Sequence, residues 1–385
     1  MILTQEQERM AAGENGKALG LALQTLIIYG NAFNAKRMVP IKSAHIAVTF
    51  GIVRFKAFYI ILERLVAEGV SVKVPTTVNP RPGREVSLRN RFSFLRQKHL
   101  ENMLDSLRVI PNYSCVCYEK DNIPSLGDNI AWAESSAVQF ANSVLGARTN
   151  RNSLLIDVCS AVTGFTPEFG YLLDENRRGK IKVNLKIKNM DAGALGFLLG
   201  KLVVDKVPVL EHYDFNRVEL KNMGGAMAAS GGVALYHVEG LTPEAPDLST
   251  VFDGKPEKEI TVTQDDLNEM RYRGPVDMVV LGCPQMSFDE IMGIAPYFEN
   301  KKVSKPTWFC IVPAAFERFK STDLFHKVKE AGVVFHTCCP VSALTSSQGM
   351  RPRKILTASG KCYYYLEGSH YGNHEDCLRA CGVIS

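Results

Sequence analysis

An α/β fold with parallel sheets is predicted by three features in the final third of this 385-residue chain. Short, largely apolar runs at 276–282, 308–312 and 333–335 have the composition of strands buried on both faces. Helical stretches separate them, one opened by Ser287 with Asp289 and Glu290, the other spanning 314–331. That alternation predicts right-handed crossovers, and therefore parallel strands. Cys283-Pro284 and Cys338 then both leave the sheet at its carboxyl edge, where open α/β sheets bind ligands.

The earlier elements follow in order. Thr4 and Gln7 form a capping box for a helix over 5–31, interrupted near Gly13 and Gly16. Apolar segments at 39–41 and 43–48 come next, the second carrying His45, either a satisfied core histidine or a chemical group. A helix over 58–68 stops at Gly69, and Val70-Ser71-Val72-Lys73-Val74 alternates as a strand. It runs into a polar turn at 75–80, at the carboxyl end of that strand. A basic loop over 81–91 and a helix over 94–107 precede the short apolar piece 113–118.

A buried helix face is predicted by Ala137, Phe140, Ala141, Val144 and Leu145, with Ser136 and Gln139 as a capping box and Gly146 as the left-handed stop. Two polar groups flank it: Glu134, Ser135 and Ser136 before, Arg148, Thr149, Asn150 and Arg151 after. They are either caps with a solvated loop or a substrate-holding set. Further on, a helix to 162, a strand over 181–187, a small-residue helix over 192–203, a helical Gly/Ala segment over 221–232 and a strand over 233–238 are expected. Residues 242–260 read as a surface connection, with a subdomain boundary near them.

Composition narrows the function. An apolar fraction of 46% and a charged fraction of 22% are those of a soluble globular protein. The net charge of +5 without a basic stripe argues against nucleic acid, and no apolar run reaches membrane-spanning length. Ten cysteines without a secretory signal pattern point to the reducing cytoplasm. None lies in Cys-x-x-Cys spacing, so structural zinc is not expected. No Walker or dinucleotide fingerprint stands at a strand-to-helix junction.

Two thiols at one sheet edge, Cys283 and Cys338, are either ligands of a soft metal or iron–sulfur cluster, or inert core cysteines. Cys115, in its own short apolar segment, is a possible third. Near the C-terminus, Leu356-Thr357-Ala358-Ser359-Gly360-Lys361 either places Ser359 and Lys361 at an anionic group or is a turn with a solvated lysine.

Taken together, Trp132-Ala133-Glu134-Ser135-Ser136-Ala137, the Asn142 to Arg151 segment, Leu281-Gly282-Cys283-Pro284 and Thr337-Cys338 resemble the aconitase X family. The likeness extends over nearly the whole chain, through Ala12 to Gly16, Ser43 to His45, Thr76 to Pro80, Asp174 to Arg177, His237 to Ala245 and Ser359 to Lys361. It implies an aconitase-like core of doubly wound parallel-sheet subdomains with the site between them.

The resemblance further implies dehydration of a small hydroxy acid at an iron–sulfur cluster or iron held by Cys115, Cys283 and Cys338. It implies cis-3-hydroxy-L-proline as first candidate substrate and mevalonate 5-phosphate as the alternative. A non-catalytic binding module that kept the fold is the reading from another class. Nothing in the chain resembles the family's small swivelling domain, so a separate small subunit is implied, with the proton-abstracting serine on it. Within this chain Glu134 and His45 are the acid candidates, Ser135 and Ser136 accompany them, and Arg148, Asn150, Thr76, Thr77, Ser359 and Lys361 hold substrate. Four positions depart from the family pattern: Cys117 stands for a proline, Gln285 for a histidine, Ala358 for an asparagine, and Cys339-Pro340 for apolar residues.

Overall fold

The computed structural model describes residues 1–48, 56–82, 91–346 and 354–385. Most of the expected basic loop, 83–90, lies outside them. The chain divides into two compact units, 1–79 with 86–112 and 117–178, and 80–85 with 113–116 and 179–385. The segment 242–260 lies inside the second. Among the described residues no helix is long and apolar enough to cross a membrane.

In the first unit the N-terminal helix is two, Gln5–Ala11 and Lys17–Ala32, with the Thr4/Gln7 capping box formed as expected. Gly13 and Gly16 take positive φ, which ends one helix and starts the next. The central sheet is parallel, with Ala44–Ile46 between Thr76–Val78 and Ala131–Trp132. Helix Leu154–Thr163, capped by Ser153 and stopped by left-handed Gly164, carries fully buried Asp157 and Ser160 one turn apart. The Asp157 carboxylate and the Ser160 hydroxyl find no hydrogen-bond partner among the described residues.

One strand is displaced from its expected place. The alternation at 70–74 is not a strand; the ladder begins at Thr76. The amides of Val72 and Lys73 are already taken by the carbonyls of Leu107 and Ala161, which leaves no ladder for them to join. The stretch read as a turn is therefore the strand itself.

The second unit has two parallel sheets. One runs His237–Val238, Pro208–Leu210, Ile181–Lys186, Lys258–Thr263. The expected strand over 233–238 shrinks to two residues because the strand beside it begins at Pro208, which has no amide to add to the ladder. The other sheet runs Val334–His336, Thr307–Ile311, Met278–Met286, Ile355–Thr357, Ser369–Tyr371, all parallel as the crossovers required. The helix expected over 314–331 is split into Pro313–Lys320 and Asp323–Glu330 at Ser321-Thr322, residues that favour caps over helix interiors.

The small-residue helix Ala192–Val203 packs backbone to backbone, as its composition anticipated. A Cβ on Gly196 would overlap the Met223 carbonyl of helix Arg217–Gly231, and Gly200 and Gly231 face each other equally closely. At its other end a Cβ on Gly193 would lie 2.7 Å from the Ala358 carbonyl.

Candidate active site

In the first unit the helix of the Glu-Ser-Ser motif runs Ser135–Ser143, and its cap is Glu134, not the expected Ser136. Glu134 Oε2 accepts the Ala137 amide at 2.7 Å, and Oε1 accepts the Ser135 hydroxyl at 3.2 Å. A carboxylate satisfies an orphan amide and meets the positive end of the helix better than a hydroxyl does, which explains the shift by two residues. All nine helix residues are buried, so no solvated face exists. Ser135 and Ser136 are held inside, and Gly146 takes the positive φ expected of it.

His45 lies opposite Thr77 in the sheet and is fully buried. Its Nδ1 is 2.8 Å from Thr77 Oγ1 and its Nε2 2.9 Å from Asn79 Oδ1. Asn122 Nδ2 donates to that same Thr77 hydroxyl at 3.0 Å and to the Ala44 carbonyl at 2.9 Å. With Thr77 accepting from Asn122, its proton goes to His45 Nδ1, and His45 Nε2–H goes to Asn79; the network assigns this tautomer. Burial lowers the imidazole to about 4, against smaller upward pulls from the Asn79 bond and the Glu134 charge. His45 is thus a neutral, doubly bonded core histidine, a poor proton donor at neutral pH. Thr76 is buried beside it and donates to the Val74 carbonyl at 2.9 Å, so both strand hydroxyls have structural work.

The loop after the helix is fastened by side-chain bonds within the Asn142 to Arg151 segment and from Arg177. Asn142 and Thr149 exchange two bonds at 3.0 Å, and the buried Arg177 guanidinium donates to the Asn142 carbonyl at 3.0 Å and the Tyr171 carbonyl at 3.0 Å. Asn150 clamps the next turn, donating to the Phe169 carbonyl at 2.9 Å and accepting the Tyr171 amide at 2.8 Å. Arg148 donates to the Leu172 carbonyl at 3.1 Å and pairs with exposed Asp174 at 2.5 Å. Motif order was the signal for Asp174 and Arg177; nothing in spacing revealed the Asn142–Thr149 clasp.

In the second unit Cys115, Cys283 and Cys338 are all buried. Cys283 does not follow its strand as expected but sits within Met278–Met286, where the ladder to Thr307–Ile311 shifts register between Leu281 and Met286. Gly282, at φ 98°, allows this: a Cβ there would overlap the Cys310 carbonyl. Cys283, Cys310, Cys338 and Cys362 share one cluster, with Cys339 packed against it. Burial, then the neighbouring Cys338, Cys283, Cys339 and Cys115, push the Cys310 thiol far up, which marks it as an inert core group. Among the described residues no group of three or more His, Cys, Asp or Glu is gathered in metal-holding geometry. Cys283 and Cys338 share that cluster, and the Cys115 thiol accepts the Gln285 amide at 3.4 Å, two residues beyond Cys283.

Ser359 caps helix Gly360–Tyr365, accepting the Cys362 amide at 2.9 Å, and donates its hydroxyl to the Cys283 carbonyl. The Ser-Gly-Lys turn is thereby tied to the Cys283 turn. Lys361 is buried, contrary to the solvated-lysine reading, and acts electrostatically on Cys339.

Residues 1–175, 162–272 and 276–382 match the families described as aconitase X first, second and third domain. The chain is 36% identical to the phosphomevalonate dehydratase large subunit of Methanosarcina mazei, over 98% of its own length and 96% of that protein. It is 32% identical to the cis-3-hydroxy-L-proline dehydratase of Pseudomonas aeruginosa, over 77% of this chain and 54% of that one. The crystal structure of Thermococcus kodakaraensis aconitase X in its holo-form superposes with a TM-score of 0.88 at 31% identity, covering 99% of this chain and all of that one. With the parallel sheets and the Glu134 helix in place, these matches identify the chain as a member of the aconitase X family, a hydro-lyase.

Proposed function

We propose that this chain is the large subunit of a dehydratase that removes water from mevalonate 5-phosphate, the second of the two substrates expected from the sequence. The observation that carries this reading is end-to-end agreement with phosphomevalonate dehydratase large subunits, against 54% coverage of the Pseudomonas hydroxyproline enzyme. A subunit-sized match also supports a separate small partner carrying the base.

The reaction breaks a C–H bond beside the carboxylate and the C–O bond one carbon further on; the electron pair becomes the new double bond, and the hydroxyl leaves as water. Cys115, Cys283 and Cys338 are the thiolates proposed to hold iron or an iron–sulfur cluster. Such a centre supplies Lewis-acid assistance to the departing hydroxyl. Arg148 is assigned to an anionic end of the substrate, because its fork is already oriented by Leu172 and Asp174. Lys361, Ser359 and Ser136 are assigned to polar contacts with the substrate. Glu134 is the proton donor, or orients the leaving water, with Ser135 fixing its carboxylate. His45, Thr77, Asn79 and Asn122 tie strands Ala44–Ile46 and Thr76–Val78 together, and the first of these pairs with the strand Ala131–Trp132 that leads to this motif.

Anaerobic co-expression with a candidate small subunit, followed by incubation with each substrate, tests the proposal. The expected result is loss of water from mevalonate 5-phosphate, seen by mass and by ultraviolet absorbance of the conjugated acid. Turnover of cis-3-hydroxy-L-proline alone would reverse the substrate assignment.

A further inference from the structure

Resting on the proposed three-thiol centre, the geometry points to Gln285 as the positioning residue that holds the thiol-bearing segments in register. It is almost completely buried, two residues beyond Cys283. Its Oε1 accepts the Cys115 backbone amide at 3.3 Å, and its Nε2 donates to the Thr337 carbonyl at 3.1 Å, one residue before Cys338. Its own amide donates to Cys115 Sγ at 3.4 Å. A single side-chain amide therefore spans the segments of Cys115 and Cys338, while its backbone belongs to that of Cys283.

The amide orientation is fixed by its partners. Reversing it would set two N–H groups against each other at Cys115 and two oxygens against each other at Thr337. The backbone is anchored as well: Lys221 Nζ donates to the Gln285 carbonyl at 3.1 Å and pairs with the partly buried Glu290. Glu290 in turn accepts the Ser287 amide at 2.8 Å. Gln285 thus stands on a braced turn and reaches out to two others.

The N–H···S bond from the backbone and the two side-chain bonds are the outer-shell contacts that orient thiolate ligands in metal sites. A glutamine that merely filled the core would not need both ends of its amide on cysteine segments.

Two variants separate the roles. Gln285→Met keeps length and apolar packing but loses both side-chain bonds; Gln285→Glu keeps the acceptor for Cys115 and loses the donor for Thr337. In metal-free protein, iodoacetamide labelling resolved by mass spectrometry reads each thiol separately. Gln285→Met should raise labelling at Cys115 and Cys338 about tenfold or more, with Cys159 and Cys377 unchanged, and Gln285→Glu should raise Cys338 alone. Cobalt(II) titration should show affinity down by roughly 10- to 100-fold and a shifted thiolate-to-cobalt absorption in Gln285→Met. Wild-type labelling and cobalt spectra in that variant would overturn the assignment, as would a uniform rise at all ten cysteines. If the wild-type chain takes up neither cobalt nor iron, the metal reading falls, while labelling still decides the role of Gln285.

Discussion

Glu134 Oε2 accepts the Ala137 amide at 2.7 Å, so the carboxylate assigned to the reaction is also the cap of its own helix. The two duties separate by substitution. Glu134→Gln keeps an acceptor for Ala137 and should leave thermal stability near wild type while lowering kcat by about 10²- to 10⁴-fold. Glu134→Ala removes both and should add a stability loss of about 1 kcal/mol. Paired melting curves and kcat values check this; equal activity in wild type and Glu134→Gln would return Glu134 to capping alone.

His45 makes stability depend on acid. Its folded pKa of about 4 lies below the ordinary 6.5, so between those values the unfolded chain binds the extra proton. The stabilising contribution is complete above pH 6.5 and is lost as pH falls through about 4, amounting to at most about 3 kcal/mol. Ring ¹⁵N shifts should show a neutral imidazole down to pH 5, and denaturant midpoints should fall between pH 6.5 and 4.5.

Asp157 acts in the opposite sense. Burial raises its carboxyl well above the usual range, so its contribution is present below pH 3.8 and is lost as pH rises toward the folded value. At neutral pH a buried carboxyl without a hydrogen-bond partner among the described residues costs stability. Asp157→Asn should stabilise the protein at pH 8 by about 1–3 kcal/mol, read as a higher unfolding midpoint. It also gives a cleaner background for the His45 measurement.

The proposed centre assigns different roles to thiols of one cluster. Cys283→Ser and Cys338→Ser should lose bound iron after anaerobic reconstitution. Cys310→Ala should retain it and cost about 1 kcal/mol from the lost buried sulfur. Iron per chain, measured on the three variants side by side, decides.

Arg148→Lys should raise KM about 10- to 100-fold with a smaller change in kcat, because a single ammonium cannot reproduce the planar fork. Steady-state kinetics at saturating small subunit give the split. A change confined to kcat would move Arg148 out of substrate binding.

Much of this was legible in the residues. The parallel order around Val280, Phe309 and Phe335 followed from apolar runs and crossover spacing, because a strand buried on both faces has few other sequences available to it. Motif order, by resemblance, singled out Glu134, Arg148, Cys283 and Cys338 as site candidates. What stayed hidden was long-range bonding. The displacement of a strand from Val72 to Thr77 depended on carbonyls at Leu107 and Ala161, far away in sequence. The Asn122–Thr77–His45–Asn79 chain likewise joins residues that no periodicity links, and Cys310 and Cys362 join Cys283 and Cys338 only because the fold packs their elements together. Substrate choice was the least legible, since both candidates share the motif and differ in chemistry remote from it.

The glycine seam of Gly193, Gly196 and Gly200 has an evolutionary consequence. Where two backbones touch, the smallest mutational step, one methyl group, is already blocked, and neighbouring positions cannot compensate singly because Gly231 and Gly360 face the same restriction. Laboratory libraries should therefore find these positions nearly invariant while the outer faces of the same helices drift, so the seam sets the spacing of the second unit's helices across any lineage that keeps this fold.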